Sequence, residues 1–100
     1  HSLNFTIRKF YMADLLYKLK EVKKANEIVA NTAEYIEDQL NYLAAIAQTK
    51  ENLNTREVQL GVYVMTELAK LTVQNGEKEL NKKLQDRLKV IESKFISAER

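Results

Sequence analysis

Few side chains in this sequence could carry out acid–base, nucleophilic or metal chemistry. His1 is the only histidine, and the 100 residues include no cysteine. Without a second imidazole or a thiol, the chain offers no Ser-His-Asp or Cys-His group for catalysis and no zinc-binding set of these residues. Glu34 and Asp38 lie one helical turn apart, but a cation site needs further converging oxygen ligands. These residue types predict a protein that is not an enzyme and that holds no metal or cofactor.

Charged residues are numerous but balanced. Sixteen Lys and Arg stand against fourteen Asp and Glu, for a formal net charge of +2. The lysines between residues 18 and 24 are interleaved with Glu21, and the basic residues between 82 and 89 with Asp86. Nucleic-acid-binding domains usually carry a one-sided basic surface. We therefore expect no nucleic-acid partner, and both clusters are interpreted as solvated helix faces.

The most apolar part of the chain, from Leu60 to Leu71, is interrupted by Thr66, Glu67 and Lys70. A helix that spans a membrane needs roughly 18 consecutive apolar residues. No membrane span is therefore expected, and the sequence assigns no compartment.

The elements that would have to position any functional side chain are helices. Residues 1–60 contain neither glycine nor proline, and the composition is rich in Lys, Glu, Leu, Ala and Gln, which favour helix. The sequence predicts one all-α domain over residues 1–100. Four helices are expected, over residues 5–29, 32–49, 55–74 and 77–98.

The first two of these helices could instead be one continuous helix, since the apolar pattern keeps its phase through Asn31 and Thr32. Apolar residues recur there at steps of three and four, which predicts a single buried stripe on one helical face. The stripe comprises Tyr11, Leu15, Leu19, Val22, Ala25, Val29, Ala33, Ile36, Leu40, Leu43 and Ala47. Tyr11 is accordingly placed in the core.

The later boundaries have clearer signals. Asn54 precedes Thr55 and has Glu57 three residues on, as expected of a helix N-cap after a turn at residues 51–54. Asn75 and Gly76 are residue types that favour the left-handed conformation at a helix end. The turn near residue 53 divides the chain into two similar arms. These arms could form either a long antiparallel helical hairpin or an up-down four-helix bundle.

The helix expected over residues 55–74 has apolar side chains around much of its circumference. Between Val58 and Val73 they cover an arc of roughly 220° at 100° per residue. One neighbouring helix cannot cover this arc, so the helix needs neighbours on two sides, from the same chain or from a second copy. The residues predicted to carry an interface are Val58, Val62, Met65, Leu68, Leu80, Leu84, Leu88 and Ile91.

The segment from Arg56 to Leu71, followed by a charged heptad tail, resembles the ZapA family of division-ring-associated proteins. Residues 22–29 would match that family's first helix, whereas its glycine-bearing N-terminal hairpin is missing. In size the chain also resembles small secreted helical hairpins with a central Trp-x-Gly turn, but it contains no tryptophan.

Together these patterns predict a non-enzymatic helical interaction or assembly module that acts through buried apolar helix faces. Its partner would be a second copy of the chain or another helical protein. The alternatives are a ligand-sensing helical bundle, a ZapA-like protein or a small secreted helical hairpin.

Overall fold

The protein is an all-α four-helix bundle. The computed structural model describes residues 3–47 and 53–95 and shows no strand in these ranges. The helices are α1 (Phe5–Lys18), α2 (Val22–Ala47), α3 (Thr55–Gln74) and α4 (Lys78–Phe95). The predicted fold class is confirmed. The predicted helix ends at 48–49 and 96–98, and part of the predicted turn at 51–54, lie outside the described residues.

Helices α2 and α3 form the centre of the bundle. Helix α1 packs on α2 and also reaches α3, whereas α4 packs on α3 and also reaches α2. Within the described residues, α1 and α4 do not pack on each other, so they lie on opposite sides of the central pair. The molecule measures 44 × 25 × 15 Å. Each half of the chain is thus folded back on itself, which is the compact alternative of the two architectures.

The core lies where the two central helices face each other. Its largest fully buried side chains include Ile36 and Leu40 from α2, and Met65 and Leu68 from α3. Gly61 allows the close approach of the two helices, since a Cβ at this position would stand 3.1 Å from Ile36 Cγ2. Most of the wide apolar arc of α3 is therefore covered by three helices of its own chain, although Val73 at its end is 61% exposed.

The boundary between the first two helices differs from the predicted one. α2 is continuous through Asn31 and Thr32, and the chain turns instead between Leu19 and Glu21. Lys20 adopts a left-handed conformation with φ of 65°. The amide of Glu21 donates to the carbonyl of Leu16 at 2.8 Å, and that of Lys20 to Tyr17 at 3.0 Å. These are the two hydrogen bonds of a Schellman motif, formed here without a glycine.

The two predicted boundary signals of α3, the Asn54 cap at its start and the Asn75-Gly76 pair at its end, are confirmed. The side chain of Asn54 accepts a hydrogen bond from the Glu57 amide at 3.1 Å and so caps α3. At the far end of α3, Gly76 is left-handed with φ of 73°. The Glu77 amide donates to the carbonyl of Thr72 at 2.9 Å, and that of Gly76 to Val73 at 3.1 Å. The α3–α4 turn is therefore a second Schellman motif.

The stripe of apolar residues predicted to be buried is buried in its later part, on α2, and exposed in its first part. Its residues on α2 from Ala25 to Leu40 are buried, but the first four are exposed, including Tyr11. The turn at Lys20 accounts for three of these residues, because they precede it, whereas Val22 is the first residue of α2 and is exposed at the start of that helix. The four exposed residues are Tyr11, Leu15, Leu19 and Val22.

Candidate functional site: an exposed apolar face on α1

The residues predicted to form an interface lie inside the bundle. Six are buried in the core of their own chain, and Val62 and Leu80 are partly buried against it. The buried six are Val58, Met65, Leu68, Leu84, Leu88 and Ile91. Contacts within one chain thus account for their apolar character, and a role for them between chains stays a prediction.

A different set of apolar side chains faces outward on α1. Tyr11, Met12, Leu15 and Leu19 follow one another at helical spacing, and we call them the α1 outer face. Tyr11, Leu15 and Leu19 expose 63%, 55% and 61% of their surface. The opposite side of α1 packs into the bundle through Thr6, Ala13 and Tyr17. Helix α1 is therefore apolar on both sides, although only one side is covered.

Helix α4 occupies the equivalent position on the other side of the bundle and behaves differently. It buries one stripe that ends with Ile91 and Phe95, and its outward side is dominated by charged residues. Val90 is the only large apolar residue exposed on it within the described range. A flanking helix in this fold can therefore have a polar outward side, as α4 does. The apolar outward side of α1 is a property of α1 and not of the fold.

The exposed apolar surface continues from α1 onto α2. The ring of Phe5 contacts that of Tyr35 edge-on, with centroids 4.8 Å apart. Tyr42 lies two turns beyond Tyr35 on the same side of α2, and both Tyr42 and Ile46 are more than half exposed. Of the eleven large apolar residues that are exposed within the described ranges, eight belong to the α1–α2 half of the bundle, which makes this half the candidate binding surface.

Charge is segregated between the same two helices. α1 contains three Lys or Arg and one acidic residue, whereas α2 contains four acidic residues and two lysines, both in its first turn. Three of those acids, Glu27, Glu34 and Asp38, are exposed on the outward side of α2. The balanced overall charge thus conceals a basic α1 beside an acidic α2.

A network of side-chain hydrogen bonds lies where the two Schellman turns meet. The hydroxyl of Tyr17 donates to Asn26 Oδ1, and Asn26 Nδ2 donates to Glu77 Oε1 at 2.8 Å. Burial, together with the charge of Glu77, raises the pKa of Tyr17 to about 12. The network joins α1, α2 and the turn before α4, and it holds the hydroxyl in its neutral form, which suits a structural hydrogen bond rather than proton transfer.

An open groove of about 610 Å³ lies beside this network, between α2 and the start of α4. Its charged lining residues are three lysines and three glutamates, so it shows no preference for either sign of ligand. They are Lys23, Glu27, Glu77, Lys78, Glu79 and Lys83.

The described residues give no support for metal chemistry or for a membrane crossing. No three or more of their His, Asp or Glu side chains converge as a metal site would require. None of the helices within the described ranges combines the length and the apolarity that a bilayer crossing needs.

Sequence reasoning missed the α1 outer face because it assigned Tyr11, Leu15 and Leu19 to the buried stripe and gave Met12 no role. The signal was present, since the apolar side chains between Phe5 and Leu19 point in all directions around a helix. As for residues 58–73, one neighbouring helix cannot cover an apolar arc of this width. What the sequence does not reveal is which of the two sides the bundle would cover.

Comparison of the chain with protein-family models, with curated proteins and with solved structures finds no match in any of the three.

Proposed function

We propose that this protein is a non-enzymatic helical interaction module whose binding surface is the α1 outer face. The observation that carries the proposal is the exposure of Tyr11, Met12, Leu15 and Leu19 along one side of a helix whose other side is buried. A contiguous apolar patch on a folded protein commonly marks an interaction site, whereas single exposed apolar residues do not.

Burying the α1 outer face against a partner would be favourable in free energy. Burying one side chain of the Leu or Met type contributes roughly 1.5–3 kcal/mol. Leu15 lies at the centre of the outer face, with Tyr11 and Leu19 one turn away on either side, so a partner helix would bury several such side chains at once. Tyr is also enriched at protein interfaces, because its ring is apolar while its hydroxyl can stay hydrated.

The interior of the bundle offers less to a small ligand. Within the described ranges, every buried side-chain nitrogen or oxygen has a hydrogen-bond partner. The hydroxyls of Thr6 and Thr72 donate to carbonyls of their own segments. No buried polar group is left to bind a ligand there, which favours the interaction module over a ligand-sensing bundle.

Site-specific photo-crosslinking in the cell that makes the protein tests the proposal. A benzophenone side chain is introduced at position 15 in one variant and at position 90 in another. Both positions are about half exposed, but Val90 lies on the polar outer side of α4 and serves as the matched control. We expect protein adducts at position 15 and none at position 90. Equal crosslinking at both positions, or none at 15, would contradict the proposal.

A further inference from the structure

We infer that the partner of the α1 outer face is a second copy of this chain, with α1 of each copy lying against α2 of the other. This inference rests on the proposed function and specifies its partner. It is carried by the charge segregation between α1 and α2, considered together with the apolar surface that the two helices share.

The chain itself carries acidic residues that could pair with the basic residues of α1 in a second copy. Arg8 lies one turn before Tyr11 and Met12, on the α1 outer face itself, and Lys9 is its neighbour in the chain. Neither makes an ion pair with any described residue, and neither do Glu34 and Asp38 on α2. A pairing of α1 with α1 would place basic residues against basic residues. A pairing of α1 with the partner's α2 places opposite charges together, which favours association and selects the orientation.

The basic residues of α1 and the acidic residue Glu34 of α2 also lie at similar heights along the bundle axis. α1 and α2 are antiparallel, because Phe5 contacts Tyr35 while the Tyr17 hydroxyl bonds to Asn26. Arg8 and Lys9 lie between these two contacts, and Lys9 borders the same surface groove as Asn31 and Thr32. They are thus within about one turn of Glu34. A two-fold axis parallel to the helices would bring Arg8 of one copy level with Glu34 of the other.

The size of the surface explains why both helices are needed. The 14-residue α1 is about 21 Å long and about 10 Å wide, which gives one face of about 200 Å² in projection. A stable dimer buries about 800 Å² of surface on each partner. Contact must therefore extend onto α2, where Tyr42 and Ile46 provide exposed apolar surface beyond the end of α1.

The decisive experiment exchanges the charges and then mixes the variants. One variant carries Arg8→Glu and Lys9→Glu, and the other carries Glu34→Lys and Asp38→Lys. Size-exclusion chromatography with light scattering should show a concentration-dependent dimer for the wild type, at twice the chain mass of 11.6 kDa. We expect each variant alone to weaken the dimer roughly tenfold or more, because both contacts become repulsive. An equimolar mixture should recover the dimer, since every contact is attractive again.

Two control variants show whether the dimer responds to these particular contacts or only to a change in net charge or in folding. Lys83→Glu with Lys89→Glu changes the net charge by the same amount on α4, and it should leave the dimer unchanged. Leu15→Asp should abolish the dimer, while circular dichroism and the thermal midpoint of each variant confirm that the fold is kept.

The outcomes also distinguish this inference from the proposed function. A wild-type chain that stays monomeric at millimolar concentration, or charge variants whose mixture does not recover the dimer, would overturn the inference. If such a monomer still forms adducts from position 15 with a different protein, the proposed function stands alone. A monomer that binds vesicles containing phosphatidylserine through its α1 outer face would overturn the inference in favour of a lipid surface.

Discussion

Tyr17 is a tyrosine whose hydroxyl lies in a buried site beside a carboxylate. Only 3% of its surface is exposed, and its hydroxyl is held by Asn26, which in turn is held by Glu77. Ionising this hydroxyl would place a negative charge in a buried site near a carboxylate. The raised pKa of Tyr17, about 12, follows from this arrangement and couples its titration to folding.

The free energy of unfolding should fall at high pH because of Tyr17. In the unfolded chain this tyrosine titrates near its ordinary pKa of 10, whereas in the folded chain it keeps its proton until about pH 12. The stabilisation is fully present below pH 10 and is lost between these values, at a slope of up to about 1.4 kcal/mol per pH unit. Urea titrations at pH 9, 10 and 11 measure it.

Tyr17→Phe is the comparison that isolates this effect. The variant loses the hydrogen bond to Asn26, so it should be less stable at pH 9, by about 1 kcal/mol. The gap between wild type and variant should then narrow as the pH rises from 10 to 11. A constant gap across this range would contradict the assignment.

Among the secondary-structure elements, the two interhelical turns have the same hydrogen-bonding pattern but different residues at the left-handed position. Gly76 adopts φ of 73° without a side chain to strain, whereas Lys20 adopts φ of 65° with one. A left-handed conformation costs a residue with a Cβ roughly 1–2 kcal/mol. The α1–α2 turn is therefore the more strained of the two, and it is the turn that positions the α1 outer face.

Lys20→Gly should stabilise the protein. Removing the Cβ relieves the left-handed strain, and the greater freedom of glycine in the unfolded chain offsets part of this gain, so we expect an increase of up to about 1 kcal/mol. The reciprocal variant, Gly76→Ala, should destabilise the protein by about 1 kcal/mol for the same reason. Chemical denaturation of the two variants measures both signs, and a loss of stability in Lys20→Gly would contradict the Schellman geometry at this turn.

At the scale of the whole molecule, the bundle has one apolar surface that stabilises the fold and another that does not. Leu84 is buried between α4 and the core, whereas Leu15 is more than half exposed on α1. The same substitution at the two positions therefore separates folding from association.

Leu84→Ala should lower the free energy of unfolding by about 2–5 kcal/mol, because it opens a cavity in the core. Leu15→Ala should change the stability of the monomer by less than about 0.5 kcal/mol, as is usual for an exposed position. Denaturation at low protein concentration, where association is negligible, measures both values. A large loss of monomer stability in Leu15→Ala would mean that this residue belongs to the core after all.

Local signals in the sequence determined the fold class and both ends of α3. The lack of glycine and proline in the first 60 residues, the Asn54 cap and the Asn75-Gly76 ending each act within a few residues, so their effects can be inferred from the sequence alone. The start of α2 could not be predicted in this way, because Lys20 takes a conformation that its residue type disfavours. The packing of two whole helices overrides that local preference.

The candidate site was decided only by the tertiary structure. Apolar spacing in the sequence predicted helix faces, and the lone histidine with no cysteine led to the prediction that the protein is not an enzyme, which stays a prediction. Which apolar face is covered depends on where the four helices lie, and burial is a property of that arrangement rather than of any one segment. The residues between Val58 and Ile91 that looked available for a partner are covered by their own chain. Those around Leu15, which looked like core, face outward because α1 has helices on one side only.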